Sequence, residues 1–386
     1  MADRAYFDWN ATAPLRPESR AAVLAALSHV GNASSVHADG RAARRLVEDA
    51  RASVAALVGA DARNVVFTAS GTEANNLALT PSIAVGSQKT CDRLIVSAIE
   101  HPSVRAGHRF PADRVEELPV TAAGVIDLAA LRAQMARGAR PLVSVMLANN
   151  ETGVVQPIHE VAEIVHEAGG LLHVDAVQAV GRIECDINDL GADLLTLSSH
   201  KIGGPQGAGA LVVRDAALHI AEPLIRGGGQ ERGQRAGTEN VAAIAGVGAA
   251  AKAARQALST ETPRMAALRE RVERGLRATM PEVVIFGEES RRLPNTTLFA
   301  VPGLKAETAI IAFDLEGVSV SSGAACSSGK VAASHVLAAM DVEPRFAAGA
   351  VRVSLGWDTQ EGDLERLQNA WIKVSASLLK QRGIAA

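Results

Sequence analysis

Up to about Gly237 the chain alternates short apolar runs with amphipathic, alanine-rich stretches. Helices are predicted over Glu18–Val30, Arg41–Val58, Thr72–Leu79, Leu128–Ala136 and Ile158–Ala168. Strands are predicted at Val65–Thr68, Leu94–Ala98, Leu142–Leu147, Leu171–Val174, Leu194–Leu197 and Ala210–Val213. Most of these strands are continuous apolar runs without a period of two, as expected when helices cover both faces of a sheet. Strands alternating with helices imply an α/β fold with a mostly parallel central sheet.

Beyond Gly237 the texture changes. An alanine-rich helix is predicted over Asn240–Ser259, with a break and a new helix start at Thr262-Pro263. Short strands follow at Val283–Phe286, Thr296–Val301, Val318–Ser321 and Val351–Leu355, then a last helix over Glu361–Lys380. From about residue 260 onward the pattern reads as a smaller α+β domain.

Composition narrows the function. The 386 residues are 48% hydrophobic and 21% charged, which is globular and not disordered. Net charge is -3 and aromatics make up 3%, so neither a basic nucleic-acid surface nor a base-stacking platform is expected. The first ten residues, MADRAYFDWN, lack a charged-then-apolar signal pattern, and no apolar run has membrane-span length. The three cysteines, Cys91, Cys185 and Cys326, are too scattered for a disulfide framework or a zinc site. The expectation is a soluble protein of a reducing compartment, the cytoplasm, with no membrane and no metal.

Ligands of open α/β sheets bind outside the carboxyl ends of the strands, so the residues following each strand matter most. After Val65–Thr68 comes Ala69-Ser70-Gly71-Thr72-Glu73, opening a helix. Free backbone N–H groups, the helix dipole and the Thr72 hydroxyl would suit a phosphate there, although a plain capped helix start reads the same way. Asp175 follows Leu171–Val174 and, alone, reads as a cap or a salt bridge before a ligand contact. Lys201 follows Leu194–Leu197 beside a glycine-rich turn. It reads as a solvated lysine or as a buried amine kept neutral for imine formation. Together the three describe one ligand, with a phosphate, a ring nitrogen that wants a carboxylate and an aldehyde that wants a lysine. That ligand is pyridoxal 5'-phosphate (PLP).

A set of short motifs runs nearly end to end in one order. It begins with Asp8-Trp9-Asn10-Ala11-Thr12, Ser34-Ser35-Val36-His37 and Gly71-Thr72-Glu73-Ala74-Asn75-Asn76. It continues with Glu100-His101, Asn149-Asn150-Glu151-Thr152-Gly153 and His173-Val174-Asp175-Ala176-Val177-Gln178. Ser198-Ser199-His200-Lys201, Gly227-Gly228-Gly229-Gln230-Glu231, Gly237-Thr238-Glu239-Asn240, Ser321-Ser322-Gly323-Ala324-Ala325-Cys326 and Arg352-Val353-Ser354-Leu355-Gly356 complete it. In this the chain resembles the NifS/IscS-like cysteine desulfurases of the class V, fold-type I, PLP-dependent aminotransferase family. Trp9, Ala13 and Ser199 depart from that family's usual residues without removing a catalytic group.

The resemblance implies a large PLP-binding α/β domain over residues 15–259, and a small α+β domain from residues 1–14 and 260–386 that carries the catalytic cysteine. Lys201 would hold the cofactor as a Schiff base and move the α-proton. Asp175 would pair with the pyridinium nitrogen, Gln178 would bond the ring's 3-oxygen, and His101 would stack on the ring and assist proton transfer. Thr72, Ser198 and His200 would hold the phosphate, with Thr238 reaching the phosphate of the other subunit of a homodimer. Asn150 and Arg352 would bind the substrate carboxylate, for which a planar guanidinium fork is suited. Cys326 would take sulfur from L-cysteine as a persulfide and deliver it to an acceptor, an iron–sulfur scaffold or a thiolation carrier. Its segment, Ser321–Ser334, has the serine, glycine and alanine composition of a mobile loop. The competing expectations are a selenocysteine lyase or another aminotransferase of this class, and a non-catalytic scaffold homologue.

Overall fold

The computed structural model describes residues 4–85, 88–89, 91–138, 140–323 and 334–381. A seven-stranded sheet is formed by β1 (Val65–Thr68), β2 (Arg93–Ser97), β3 (Val115–Leu118), β4 (Pro141–Met146), β5 (Leu171–Asp175), β6 (Leu194–Ser198) and β7 (Gly209–Val213). Their order is β1-β7-β6-β5-β4-β2-β3. Only β7 runs against its neighbours, so the sheet is mostly parallel, as the continuous apolar runs imply.

Side chains alternate between two cores. Val65, Phe67, Val143, Val145, Leu172, Val174, Leu195 and Leu197 pack on one face against the helices Ala38–Leu57 and Ile158–Glu167 and the first third of Val241–Thr279. Val66, Leu94, Val96, Leu142 and Leu211 pack on the other face, under the helix Gly71–Ala78. Burying apolar area at roughly 25 cal/mol per Å² on both faces makes this sheet the main source of stability.

A second apolar cluster gathers Ala5, Phe7, Phe299, Phe313, Val351 and Trp371. The Trp371 ring lies edge-on to Phe299 with centroids 5.4 Å apart. An antiparallel sheet of Val284–Ile285, Thr296–Ala300, Val351–Ser354 and Ser321–Ser322 backs it, in that order, beside a parallel pairing of Ala5–Tyr6 with Val318–Ser319.

Two expectations need correction. The expected break at Thr262-Pro263 is absent: one 39-residue helix, Val241–Thr279, runs through Pro263. Its first half is anchored in the first core through Ala243, Val247, Ala250 and Ala254, and its second half in the other through Leu268, Val272 and Leu276. Packing at both ends outweighs a proline cost of about 3 kcal/mol. The single strand expected over Val318–Ser321 is two short ones, because Val318–Ser319 pairs with the N-terminal strand and Ser321–Ser322 with Val351–Ser354.

Candidate active site

The carboxyl ends of β1, β2, β4, β5 and β6 converge on one cavity of about 250 Å³. Its walls include Thr72, His101, Asn150, Asp175, Gln178, Ser198, His200 and Lys201. Eight residues singled out in the sequence for one site therefore line one hollow, although they are scattered over 130 positions from Thr72 to Lys201.

At one end the helix Gly71–Ala78 presents its N-terminus. Ser70 caps it, its hydroxyl accepting from the Glu73 N–H at 3.0 Å, and Glu73 reaches back to the Ala69 N–H at 2.9 Å. This resembles a capping box, with the return bond going to the residue before the cap. A Cβ on Gly209, at the start of the reversed strand, would stand 2.5 Å from the Ser70 carbonyl carbon. Glycine is required there for β7 to lie directly against the helix start. Thr72, Ser198 and His200 complete this end with two hydroxyls and an imidazole. Burial, with Lys201 and Arg182 nearby, lowers the His200 pKa to about 4, so its ring is neutral near pH 7.

Asp175 is buried at the end of β5 and its position is fixed twice. Asn75 Nδ2 donates to Oδ2 at 2.8 Å and the Val177 N–H donates to Oδ1 at 3.0 Å. Asn75 also donates to the Ser103 hydroxyl at 2.9 Å, which lies 2.8 Å from His101 Nδ1. The Ser103 backbone N–H donates to that same Nδ1 at 3.1 Å. A backbone N–H can only donate, so Nδ1 is an acceptor and the neutral ring carries its proton on Nε2. Burial lowers the His101 pKa, Asp175 opposing and Lys201 and His335 adding to the effect. Two residues back along β5, His173 is sealed between Ser144 and Thr196, and burial lowers its pKa to about 4.

Lys201 follows β6 in a short 3₁₀ turn and is half-buried. Its Nζ donates to the carbonyl of Ala11 at 2.8 Å and to that of Asn10. Gln178 Nε2 donates to the same Asn10 carbonyl at 3.0 Å, and Arg182 donates to Gln178 Oε1. The segment Trp9–Ala11 is thus a strap across the lysine end of the cavity. β5 and β6 are adjacent and parallel, with Asp175 opposite Thr196, which puts the acid and the amine at the same sheet edge.

Three expected site residues stand apart from these walls. Arg352 is almost wholly buried in the second sheet, where it donates to the Asn150 carbonyl at 2.9 Å and to Asp8 Oδ1 at 2.8 Å. It adjoins the cavity through Asn150, with its fork engaged by a carboxylate of the chain itself. Thr238 is exposed and does not line the cavity of a single chain. Cys326 lies outside the described residues. Sequence reasoning assigned no role to Asn75 or Ser103, which orient Asp175 and His101. Asn75 sits inside a motif already singled out, but nothing in the sequence shows the carboxylate it reaches, 100 positions away. No group of three or more metal-ligating side chains occurs among the described residues.

Residues 5–367 match the family model described as aminotransferase class-V. The chain belongs to the class-V aminotransferase family. Among class-V relatives, a cysteine desulfurase of Cereibacter sphaeroides is 41% identical over 371 residues, covering 95% of this chain and 94% of that protein. The X-ray structure of a NifS-like protein from Rickettsia africae superposes with a TM-score of 0.88 at 35% identity, covering 97% of this chain and 99% of the other. SspA in complex with cysteine superposes with a TM-score of 0.74 at 28% identity, covering 91% of this chain and 98% of that one. The class-V fold thus spans both apolar cores of the chain.

Proposed function

We propose that this protein is a PLP-dependent cysteine desulfurase, converting L-cysteine to L-alanine and passing the sulfur to Cys326 as a persulfide. The observation that carries the reading is the convergence of Asp175 and Lys201, at adjacent strand ends, on one cavity that also holds a helix N-terminus. Cysteine desulfurases covering almost the whole chain at about 40% identity support the choice of substrate.

The donor set suits PLP. A capped helix N-terminus with Thr72, Ser198 and His200 fits a phosphate. A doubly hydrogen-bonded carboxylate fits a protonated ring nitrogen, Gln178 a ring oxygen, and Lys201 an aldehyde. The cavity, about 250 Å³, is below the roughly 300–1,000 Å³ of drug-sized pockets, as suits a compact cofactor. When bound, PLP supplies an electron sink for negative charge developing at the substrate α-carbon.

The protein's part is positioning and proton movement. Asn75 and the Val177 N–H hold Asp175 pointed in one direction. Lys201 takes the α-proton of the substrate, and the Asn10 and Ala11 carbonyls stand ready to accept from its amine whenever that amine is free. His101, with its proton on Nε2 and Nδ1 held by Ser103, donates or receives a proton from the cavity side. Asn150 and Arg352 hold the substrate carboxylate. The Cys326 thiolate attacks the substrate sulfur: an S–S bond forms, the Cβ–S bond breaks, Cβ takes a proton and Lys201 returns one to Cα, so that alanine leaves. The acceptor, whose nucleophile takes the outer sulfur and releases the Cys326 thiolate, is an iron–sulfur scaffold or a thiolation carrier. No described helix is long and apolar enough to cross a membrane, which fits a cytoplasmic setting. The working unit is a homodimer, in which Thr238 serves the phosphate of the other subunit.

Mass spectrometry of the holoenzyme after exposure to L-cysteine tests the proposal. One extra sulfur on Cys326 and an equal amount of alanine are expected. Pyruvate or glutamate in place of alanine, or sulfur on Cys91 or Cys185, would overturn it.

A further inference from the structure

The turn after β4 holds a buried acid that none of the steps above uses. Asn149 Oδ1 accepts from the backbone N–H of Glu151 at 2.9 Å and of Thr152 at 3.0 Å, while Asn149 Nδ2 donates to the Ile99 carbonyl at 3.1 Å. The turn is therefore fixed, and it aims Glu151 into the protein, where the residue is 3% exposed. Its carboxyl group meets the chain on both sides of residues 324–333. On the far side the Ser334 hydroxyl donates to Glu151 Oε2 at 2.6 Å and accepts from the Leu337 N–H at 3.0 Å. One hydroxyl thus caps the helix His335–Ala339 and ties it to the turn. The next residue, His335, donates from Nε2 to the Glu100 carbonyl at 2.9 Å, directly before His101. On the near side Gly323 lies so close that a Cβ would stand 2.8 Å from Oε2.

The electrostatics agree with this placement. Burial pushes the Glu151 carboxyl up to about 7, against the pull of the Ser334 hydroxyl and of Arg352. A buried ionisable group is costly unless its hydrogen bonds are made. Either protonation state leaves an oxygen to accept from Ser334, so the tie persists across neutral pH.

We infer that Glu151 is a positioning residue that ties down Ser334 and packs against Gly323, the residues flanking the segment that carries Cys326, and so governs the sulfur-accepting step at that thiol. The inference rests on Cys326 being the sulfur-accepting thiol. Fixing the point at which a segment rejoins the fold changes the effective concentration of a group that it carries. A displacement of about 1 Å in such an anchor can cost on the order of 100-fold in a reaction step.

The test compares wild type, Glu151→Ala, Glu151→Gln and Ser334→Ala as holoenzymes in single turnovers with L-cysteine. Cys326 persulfide is followed by mass spectrometry and cysteine binding by the cofactor's absorbance. Glu151→Ala and Ser334→Ala are expected to slow persulfide formation at saturating cysteine by about 10–100-fold, with half-saturation moved by less than about twofold. Glu151→Gln keeps an accepting oxygen and is expected to recover to within about threefold of wild type. A second readout needs no cofactor: the alkylation rate of Cys326 by iodoacetamide in apoprotein should change in Glu151→Ala and return in Glu151→Gln. Wild-type persulfide and alkylation rates in both alanine variants would overturn the inference. So would a loss of cysteine binding as large as the loss of rate. If Glu151→Ala does not fold, Ser334→Ala decides alone. Absence of sulfur on Cys326 in the wild type would instead sink the functional reading, and the alkylation comparison would still decide the anchor.

Discussion

At the scale of single residues, the cavity depends as much on the side chains that aim their neighbours as on those they aim. Asp175 would be a poor partner for a ring nitrogen if it could rotate, and Asn75 prevents that while also fixing the Ser103 hydroxyl behind His101. Asn75→Leu keeps the volume but removes both bonds and leaves Asp175 with one donor. A hydrogen bond to a charged group is worth about 1.5–3 kcal/mol, so kcat should fall by roughly 10–100-fold. Purified protein should also release its cofactor faster in dialysis. An unchanged kcat with full retention of cofactor would show that the Val177 N–H alone holds the carboxylate. Arg352 makes the complementary point. Its fork is already taken up by Asp8 and the Asn150 carbonyl, so a substrate carboxylate held there, as proposed, would have to compete with an acid of the chain itself.

At the scale of elements, the runs that were legible are those whose burial is total. Val65–Thr68 and Leu194–Ser198 are buried at every position and carry no side chain that contradicts a strand. The edge strand Val115–Leu118 went unread because its Glu116 and Glu117 face ion pairs with Arg93 and Arg105, which give no apolar signal. The helix Ala306–Leu315 went unread because its apolar residues ring the whole cylinder and leave no stripe. The cavity walls were legible because each lies at the end of a readable strand. The aiming bonds were not, because they join residues far apart in sequence. Pro263 misled for a further reason: local chemistry argues for a break, and tertiary packing on two cores overrides it. Pro263→Ala restores an N–H to the helix interior and should raise stability by about 1–3 kcal/mol, read as a higher urea midpoint. A midpoint that stays or falls would mean that the proline fits its place better than the helix needs an N–H.

At the scale of the whole molecule, one stretch of surface looks unfinished. Leu24 and Leu27 at the end of the helix Pro17–Leu27 are 59% and 67% exposed, and Val30 and Val36 just beyond are 87% and 85% exposed. Soluble proteins seldom leave several large apolar residues of one segment in water without a use for them. A second copy of the chain covering this segment would fit the role proposed for Thr238 at a neighbouring subunit's phosphate. Sedimentation of the wild type should then give twice 40.0 kDa. Val36→Glu should shift the population toward single chains that retain cofactor less well. A Val36→Glu protein that remains fully dimeric would place the interface elsewhere.

The helix Val241–Thr279 belongs to two cores at once, and neither can be completed without it. Expressing the gene as two pieces cut near codon 260 would leave each piece with half a rod and one unfinished interior. Two such pieces would be expected to stay unfolded alone and to assemble only when made together. Evolution has correspondingly little freedom to trade either half of this protein for a module from another gene.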